Sequence, residues 1–389
     1  MIQGPAFGGA HNQALRLREP LERRGIQTLV VLPREAEPAA KRLRESGVET
    51  LTMPLRRLRA TVSPKVQFDF ITHISTDVHA LESLMKSRSI DVVQVHGVTN
   101  AHGALAARRT GVAVVWQLFD TRAPMALRRL AMPLVLRHAD AMTTWGWELA
   151  HVHPGTERLG ERLTVVYPPV DRAEFELGEE VRVQARARMG VEEDEILVGS
   201  IGVLNPQKGH EGLIRAAHLL GERHKSLQFR ILGGMSPAHE PYERSLRQEV
   251  KDRGLESRFG FLNPGTDVPE LLQGFDILAM TSVPRSEGMP TVILEAMFAG
   301  KPVVTTDVGA VRELVEPEVS ALVVEPLKPR LVADAIDRLV NDVELAARLS
   351  AAGQARARTR FDLERLADLH AGAYRTAIGS AKRRSSASR

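Results

Sequence analysis

The sequence predicts an α/β protein of two doubly wound domains, each a parallel sheet with helices on both faces. Three observations predict it. A short β-branched run is followed by an amphipathic stretch, and this unit repeats along the chain. The runs are continuously apolar, as strands covered on both faces must be. The rhythm pauses once, at Tyr167-Pro168-Pro169-Val170-Asp171, where two consecutive prolines continue neither a helix nor a central strand, and then restarts.

Before the pause, strands are expected over 27–32, 48–53, 91–96, 113–118, 141–144 and 163–167, with helices over 64–88 and 100–109. After it, strands are expected over 196–202, 228–232, 259–262, 277–281, 302–306 and 321–324. Helices over 329–339, 343–359 and 363–378 close the chain. The expected domains are 1–170 and 171–360. A C-terminal helix over 361–380 would pack back on the first, and a basic tail over 381–389 would be disordered. Such sheets bind ligands beyond the carboxyl ends of their strands, so two of them facing each other would create a cleft with a ligand on each wall. A doubly wound domain opens with a strand before its first glycine loop. Here only Met1–Gln3 precede Gly4, so either the first strand is nearly absent or the true start lies upstream, the latter being the expectation.

Composition narrows the function classes. Of 389 residues, 43% are hydrophobic and 26% charged, enough for large cores without staples. The absence of cysteine rules out disulfides, thiolate metal sites and a cysteine nucleophile, and fits a reducing compartment. No apolar run approaches the ~18 residues of a membrane-spanning helix. The first five residues lack the basic and apolar regions of a signal peptide, so a cytoplasmic protein is expected. A net charge of +4 is too mild to argue for nucleic acid.

The chemistry concentrates between Ser286 and Val304. Pro290 suits the first position of a helix and Gly300 the residue past its end, which leaves Glu287 in the preceding loop and Glu295 inside the helix. The loop follows the strand expected over 277–281 and so lies at the ligand-binding edge. Free amides of Met289, Thr291 and Val292 would form an anion site there. Two carboxylates flanking an anion site suit a sugar-nucleotide: one accepts from sugar hydroxyls, the other from ribose. The plain alternative is a solvated loop acid and a helix-surface acid. It leaves Glu295 unexplained in an otherwise apolar helix. Lys208 follows a strand and a turn, immediately before a glycine and a helix, where a lysine reaches phosphate oxygens as a point charge. A surface lysine near a helix start is the alternative.

Glu287-Gly288-Met289-Pro290, then Glu295-Ala296-Met297 with Gly300 and Pro302-Val303-Val304, resemble the signature of retaining glycosyltransferases of family 4. Their fold, two Rossmann-like domains, is called GT-B. The likeness extends over 200–209, 268–281 and 308–315. It implies that Glu287 holds donor sugar hydroxyls, Glu295 the ribose and Lys208 the diphosphate, with Gly202 and Gly288 to Thr291 around the donor. It also implies a loop containing Gly8 and Gly9 over the donor phosphate, and a histidine, here His96, close to donor sugar and acceptor hydroxyl. Val203 departs from the arginine common in that family. Arg285 is the candidate substitute.

Phe7-Gly8-Gly9-Ala10-His11-Asn12 is a glycine turn entering a helix, with His11 and Asn12 facing an acceptor or capping. His96 ends one expected strand, and Asp120 follows another. Each lies at the ligand edge, the alternatives being a histidine satisfied by a carbonyl and a helix-capping aspartate. The thirteen histidines show no metal-ligand spacing, and no aspartate-x-aspartate pair is present, so neither metal nor cofactor is expected. Residues 122–138 read as a core-facing helix with a basic outer face, weak contact with anionic lipid being the alternative. Arg56, Arg57 and Arg59 read as a solvated loop. The expected function is retaining transfer from a nucleotide-sugar to a hydroxyl acceptor. An epimerase or hydrolase on the same fold, and a non-catalytic binding subunit, are the alternatives.

Overall fold

The computed structural model describes residues 1–2, 4, 7–56, 64–119, 124–221, 223–234 and 239–387. Asp120, Arg122, Arg57 and Arg59 lie outside the described residues. The chain divides into two units, Met1–Pro169 with Leu363–Arg389, and Val170–Asp362.

The first unit runs α1 (Gly9–Glu22), β1 (Leu29–Pro33), α2 (Glu37–Glu45), β2 (Glu49–Met53), α3 (Pro64–Ser87), β3 (Val92–His96) and α4 (Ala101–Thr110). It continues with β4 (Ala113–Leu118), α5 (Met125–His138), β5 (Ala141–Trp145), α6 (Gly146–His151) and β6 (Leu163–Val166). All strand pairs are parallel, but they form two sheets: β1-β2, and β3-β4-β5-β6. The single sheet expected from the sequence is therefore interrupted between β1 and β3. Among the described residues, Met1 and Ile2 reach into the gap, the Ile2 amide donating to Val31 O at 3.1 Å. All six residues of β4 are buried, consistent with its unbroken apolar run.

Helix α5 corrects one expectation. Its outer face is apolar as well as basic: Leu130 is 79% and Leu134 46% exposed. Arg128 turns inward instead, and its Nη1 donates to Val152 O at 2.8 Å.

The second unit runs α7 (Glu179–Met189), β7 (Ile196–Ile201), α8 (His210–Leu220), β8 (Leu227–Leu232), α9 (Glu240–Asp252), β9 (Phe259–Leu262) and α10 (Val268–Gln273). Then come β10 (Ile277–Met280), α11 (Thr291–Phe298), β11 (Val303–Thr306), α12 (Val311–Leu314), β12 (Leu322–Val324), α13 (Pro329–Asn341) and α14 (Val343–Arg360). Among the described residues its six strands are parallel in the order β9-β8-β7-β10-β11-β12. Chain order reverses between β7 and β10, which is the switch point of a doubly wound sheet. Phe229 and Phe259 stack in its core with centroids 5.9 Å apart.

The last helix, α15 (Leu363–Ala387), belongs to the first unit. The tail expected to be disordered from Ala381 is helical to Ala387. Ala373, Ala377 and Ala381 recur every four residues and are buried, the latter two against Ala113, Val115 and Ala141. Small side chains on one face let the helix lie close to the sheet. Arg384 pairs with Asp140 and anchors the final turn. Among the described residues, no helix is long and apolar enough to cross a membrane.

Candidate functional site

The switch point dictates where a ligand site forms in the second unit: beyond the carboxyl ends of β7 and β10. The loop after β7 carries Gly202, Val203 and a short turn, Pro206–Lys208, capped by Asn205, whose Oδ1 accepts from the Lys208 amide at 3.2 Å. Gly209 then takes a left-handed conformation (φ 58°) against the Thr281 carbonyl, where a side chain would collide. The Thr281 hydroxyl donates to Gly209 O at 2.9 Å and ties the two loops together. The aliphatic stem of Lys208 packs beside Gly202.

This framework sets a cation against a carboxylate. Lys208 Nζ donates to Glu287 Oε1 at 2.7 Å, and the Ser282 hydroxyl donates to the same oxygen at 2.7 Å. Glu287 is 9% exposed and Lys208 retains 26% of its side-chain surface. Glu287 Oε2 has no hydrogen-bond partner among the described residues, so the carboxylate keeps an accepting oxygen for a ligand. Ser282 is itself fixed, its carbonyl accepting from the Thr306 hydroxyl at 2.7 Å. The sequence singled out Lys208, Gly202 and Glu287 separately; Ser282 was missed. It stands two residues past β10, and nothing local marks it.

Helix α11 begins at Thr291, with Pro290 as its extended N-cap rather than its first helical residue. Proline has no amide hydrogen, so the first free donor falls one residue later. Among the described residues, no backbone carbonyl accepts from Met289, Thr291 or Val292, while Ile293 N bonds Pro290 O at 3.3 Å. Gly288 is held by the Ala310 amide, 3.0 Å from its carbonyl. Thr291 and Glu295 are the two partly exposed residues of α11. One turn apart, they share the open face, which explains an acid in an apolar helix. Arg285 is exposed in a left-handed conformation (φ 64°). Val203 is 45% exposed.

The first residue of α8, His210, was also missed. It is fully buried, with Nε2 3.4 Å from Val203 O. Burial holds it down at about 4, so it stays neutral near Lys208.

Residues 182–356, within the second unit, match the family described as Glycosyl transferases group 1. Residues 8–151, within the first, match the Glycosyl transferase 4-like domain. Each unit is thus similar to a glycosyltransferase domain. The D-inositol 3-phosphate glycosyltransferase of Corynebacterium urealyticum is 31% identical over 229 residues, 57% of this chain and 53% of its own. The α-D-kanosaminyltransferase of Streptomyces kanamyceticus is 31% identical over 197 residues, 50% of this chain and 49% of its own. The chain spans about half the length of the curated relatives it matches. Among solved structures, Anabaena HepE in complex with UDP has a TM-score of 0.80 at 24% identity, covering 95% of this chain and 97% of that one. That likeness shows the fold, GT-B.

In the first unit the candidates fall in two groups. Gly9 is required by packing: a Cβ there would stand 2.6 Å from the Trp145 ring. His11 is buried, and its Nδ1 accepts from the Gly8 amide at 3.2 Å, so it caps α1. The Asn12 amide bonds Gly8 O at 3.0 Å. His96 ends β3, edge-on to Phe119 at 5.8 Å.

A glutamine ladder that sequence reasoning missed lies beside His96. Gln13 and Gln117 exchange amide bonds of 2.9 and 2.8 Å. Gln94 donates to Gln117 Oε1 and accepts from the Tyr374 hydroxyl at 2.6 Å. These bonds fix the Gln94 amide so that its NH₂ also faces His96 Nε2 at 3.4 Å. The proton of His96 is thereby assigned to Nδ1, which is buried and has no partner among the described residues. Burial, then the Met1 ammonium, His370 and His11, hold His96 well below the usual histidine range. It is a neutral imidazole with an uncommitted donor.

His370 of α15 is buried with neither ring nitrogen hydrogen-bonded among the described residues, and burial holds it at about 4. Between pH 6.5 and about 4 the unfolded chain binds a proton there that the folded chain refuses. Stability is therefore complete above pH 6.5 and falls as pH drops, by up to about 1.4 kcal/mol per unit for this group. His370→Leu is expected to leave the unfolding midpoint at pH 7.5 within a few degrees and to flatten its decline toward pH 5. Parallel declines for the two proteins would remove His370 from the titration.

Proposed function

We propose that this chain transfers a sugar from a nucleotide-sugar donor to an acceptor hydroxyl with retention at the anomeric carbon. The observation that carries the reading is the Lys208–Glu287–Ser282 cluster at the β7/β10 switch point, beside amides leading into α11 from which no backbone carbonyl accepts among the described residues. The match to Glycosyl transferases group 1 supports it, as does a fold shared with a protein solved with UDP and with UDP-glucose. In this reading the donor diphosphate rests on the amides of Met289, Thr291 and Val292. Lys208 stabilises the charge that develops as the diphosphate leaves. Glu287 Oε2 accepts from sugar hydroxyls, and Glu295, on the same helix with Thr291, accepts from ribose. The acceptor hydroxyl attacks from the leaving-group face, and a donor phosphate oxygen takes its proton. With Val203 where an arginine would pair with the lysine, the leaving charge rests on Lys208 and the amides. No metal enters this scheme. His96, as a neutral donor in the first domain, serves the donor sugar or the acceptor hydroxyl.

Thermal shifts with UDP, GDP, ADP and their sugars test the donor. One nucleotide series is expected to raise the midpoint, because a ligand at one hundred times its Kd adds about 2.7 kcal/mol. The matching donor, with and without acceptors, then tests the reaction: nucleotide release should require the acceptor. Release without it identifies a hydrolase, an altered donor sugar an epimerase, and no shift with any nucleotide removes the reading.

A further inference from the structure

A neutral histidine donates from one ring nitrogen and accepts at the other, and what one nitrogen meets decides the role of its partner. His96 stands at the carboxyl end of β3, the edge where ligands bind. An unbroken hydrogen-bonded chain leads to it through the interior. It runs from Trp145 of β5 to Gln13 of α1, then to Gln117 of β4 and Gln94 of β3, with Tyr374 of α15 joining at Gln94. Trp145, Gln13 and Gln117 are buried. A reversed amide there would set donor against donor where the cost is greatest.

An amide fits either way round, so a ladder of amides has two possible senses. The Trp145 indole removes one of them. Its Nε1 only donates, and it reaches Gln13 Oε1 at 3.2 Å. That oxygen accepts, which points Gln13 Nε2 at Gln117 Oε1 at 2.9 Å and leaves Gln117 Nε2 to return a bond of 2.8 Å. Gln94 Nε2 donates to the same Gln117 oxygen, so its second N–H is free to face His96 Nε2, 3.4 Å away. The Tyr374 hydroxyl does not oppose this sense. A phenol donates or accepts, and here it donates to Gln94 Oε1 at 2.6 Å. Of the groups at the ladder's ends, indole, phenol and imidazole, only the indole is fixed in its role.

We propose that the ladder is a positioning device for His96. The Trp145 indole sets the direction of the Gln13, Gln117 and Gln94 amides, and Gln94 thereby keeps the imidazole proton on Nδ1, as the donor to a sugar or acceptor hydroxyl oxygen. This rests on His96 meeting such a hydroxyl, as read above; Gln94 acts through His96. Burial, then the Met1 ammonium, His370 and His11, hold the ring neutral. The neutral ring is the form in which the choice of nitrogen matters, because both nitrogens of the charged ring donate.

The ring nitrogen chemical shifts of histidine-labelled protein report the tautomer without any substrate, His96 being assigned by the signal lost in His96→Asn. The unaltered chain is expected to carry the proton on Nδ1. Gln94→Met keeps the length of the side chain and removes the donor; Trp145→Phe removes the indole. Each is expected to bring in the Nε2–H form. Transfer is then followed in a double-mutant cycle. The His96→Asn amide offers its NH₂ near the place of Nδ1 whatever stands at position 94. Gln94→Met is therefore expected to lower kcat/KM roughly three- to tenfold when His96 is present, the range of one hydrogen bond, and to change it less than about twofold in the His96→Asn background. A rise confined to the KM of donor or of acceptor tells which hydroxyl His96 meets. A ladder that only fills the interior would cost the same in both backgrounds. An Nε2–H form in the unaltered chain, a tautomer that neither substitution moves, or equal costs in the two backgrounds would overturn the proposal. Because the ring spectrum needs no nucleotide, a ladder that fails is told apart from a chain that binds no donor.

Discussion

Replacing Glu287 by glutamine is expected to lower kcat/KM for sugar transfer by roughly 10²-fold or more while leaving the fold intact. Glutamine keeps the shape and one accepting oxygen, so Ser282 and Lys208 retain a partner for the bonds they now make at 2.7 Å. Two things change. The negative charge that faces a developing positive anomeric carbon is gone. The second oxygen, left accepting in the structure, becomes an NH₂ that cannot accept from a sugar hydroxyl. Binding of the nucleoside diphosphate alone should hold or tighten, because a carboxylate no longer competes for the Lys208 ammonium. Steady-state kinetics with the donor found by thermal shift, with the unfolding midpoint measured alongside, gives the answer. Turnover within threefold of the unaltered chain would take Glu287 out of the reaction.

That two partners 79 positions apart were each picked out from the sequence reflects strong local signals. Glu287 sits in a loop between an apolar run and a Pro-initiated, Gly-terminated helix. Lys208 sits between a turn and a helix start. Their mutual ion pair had no local signature; it follows from the order in which β7 and β10 pair. The strands expected over 113–118 and 259–262 coincide with β4 and β9, because continuous apolar runs bounded by turns admit little else. What stayed hidden depends on distant neighbours. Gln13 and Gln117 are polar residues inside elements, and only their 104-residue pairing makes them a buried ladder. The charge of the tail predicts disorder, whereas its helix is held by alanines at four-residue spacing against the sheet. A glycine at position 9 suggests close ligand approach, but a Cβ there would meet the Trp145 ring, which no local pattern reveals.

Lys208→Ala is expected to weaken nucleoside diphosphate binding by roughly 10- to 100-fold, the range given by one lost hydrogen bond to a charged group. The salt dependence of binding should fall with it, since a cation has left the site. Its effect on stability is separable. Glu287 is 9% exposed and, among the described residues, would keep only Ser282 as a donor to Oε1, so a buried carboxylate loses its counter-charge. Lys208 keeps 26% of its surface in solvent. The cost is therefore set at about 1–2 kcal/mol, below that of breaking a fully buried pair. Adding Glu287→Gln to Lys208→Ala should restore most of that stability, because the unpaired charge disappears, but none of the diphosphate affinity. The two single variants thus move diphosphate binding differently, down for Lys208→Ala and level or up for Glu287→Gln, although both reduce transfer. Titration calorimetry with the nucleoside diphosphate distinguishes them. An unchanged Kd in Lys208→Ala would place the phosphate site elsewhere in the second unit and leave the ion pair a structural device alone.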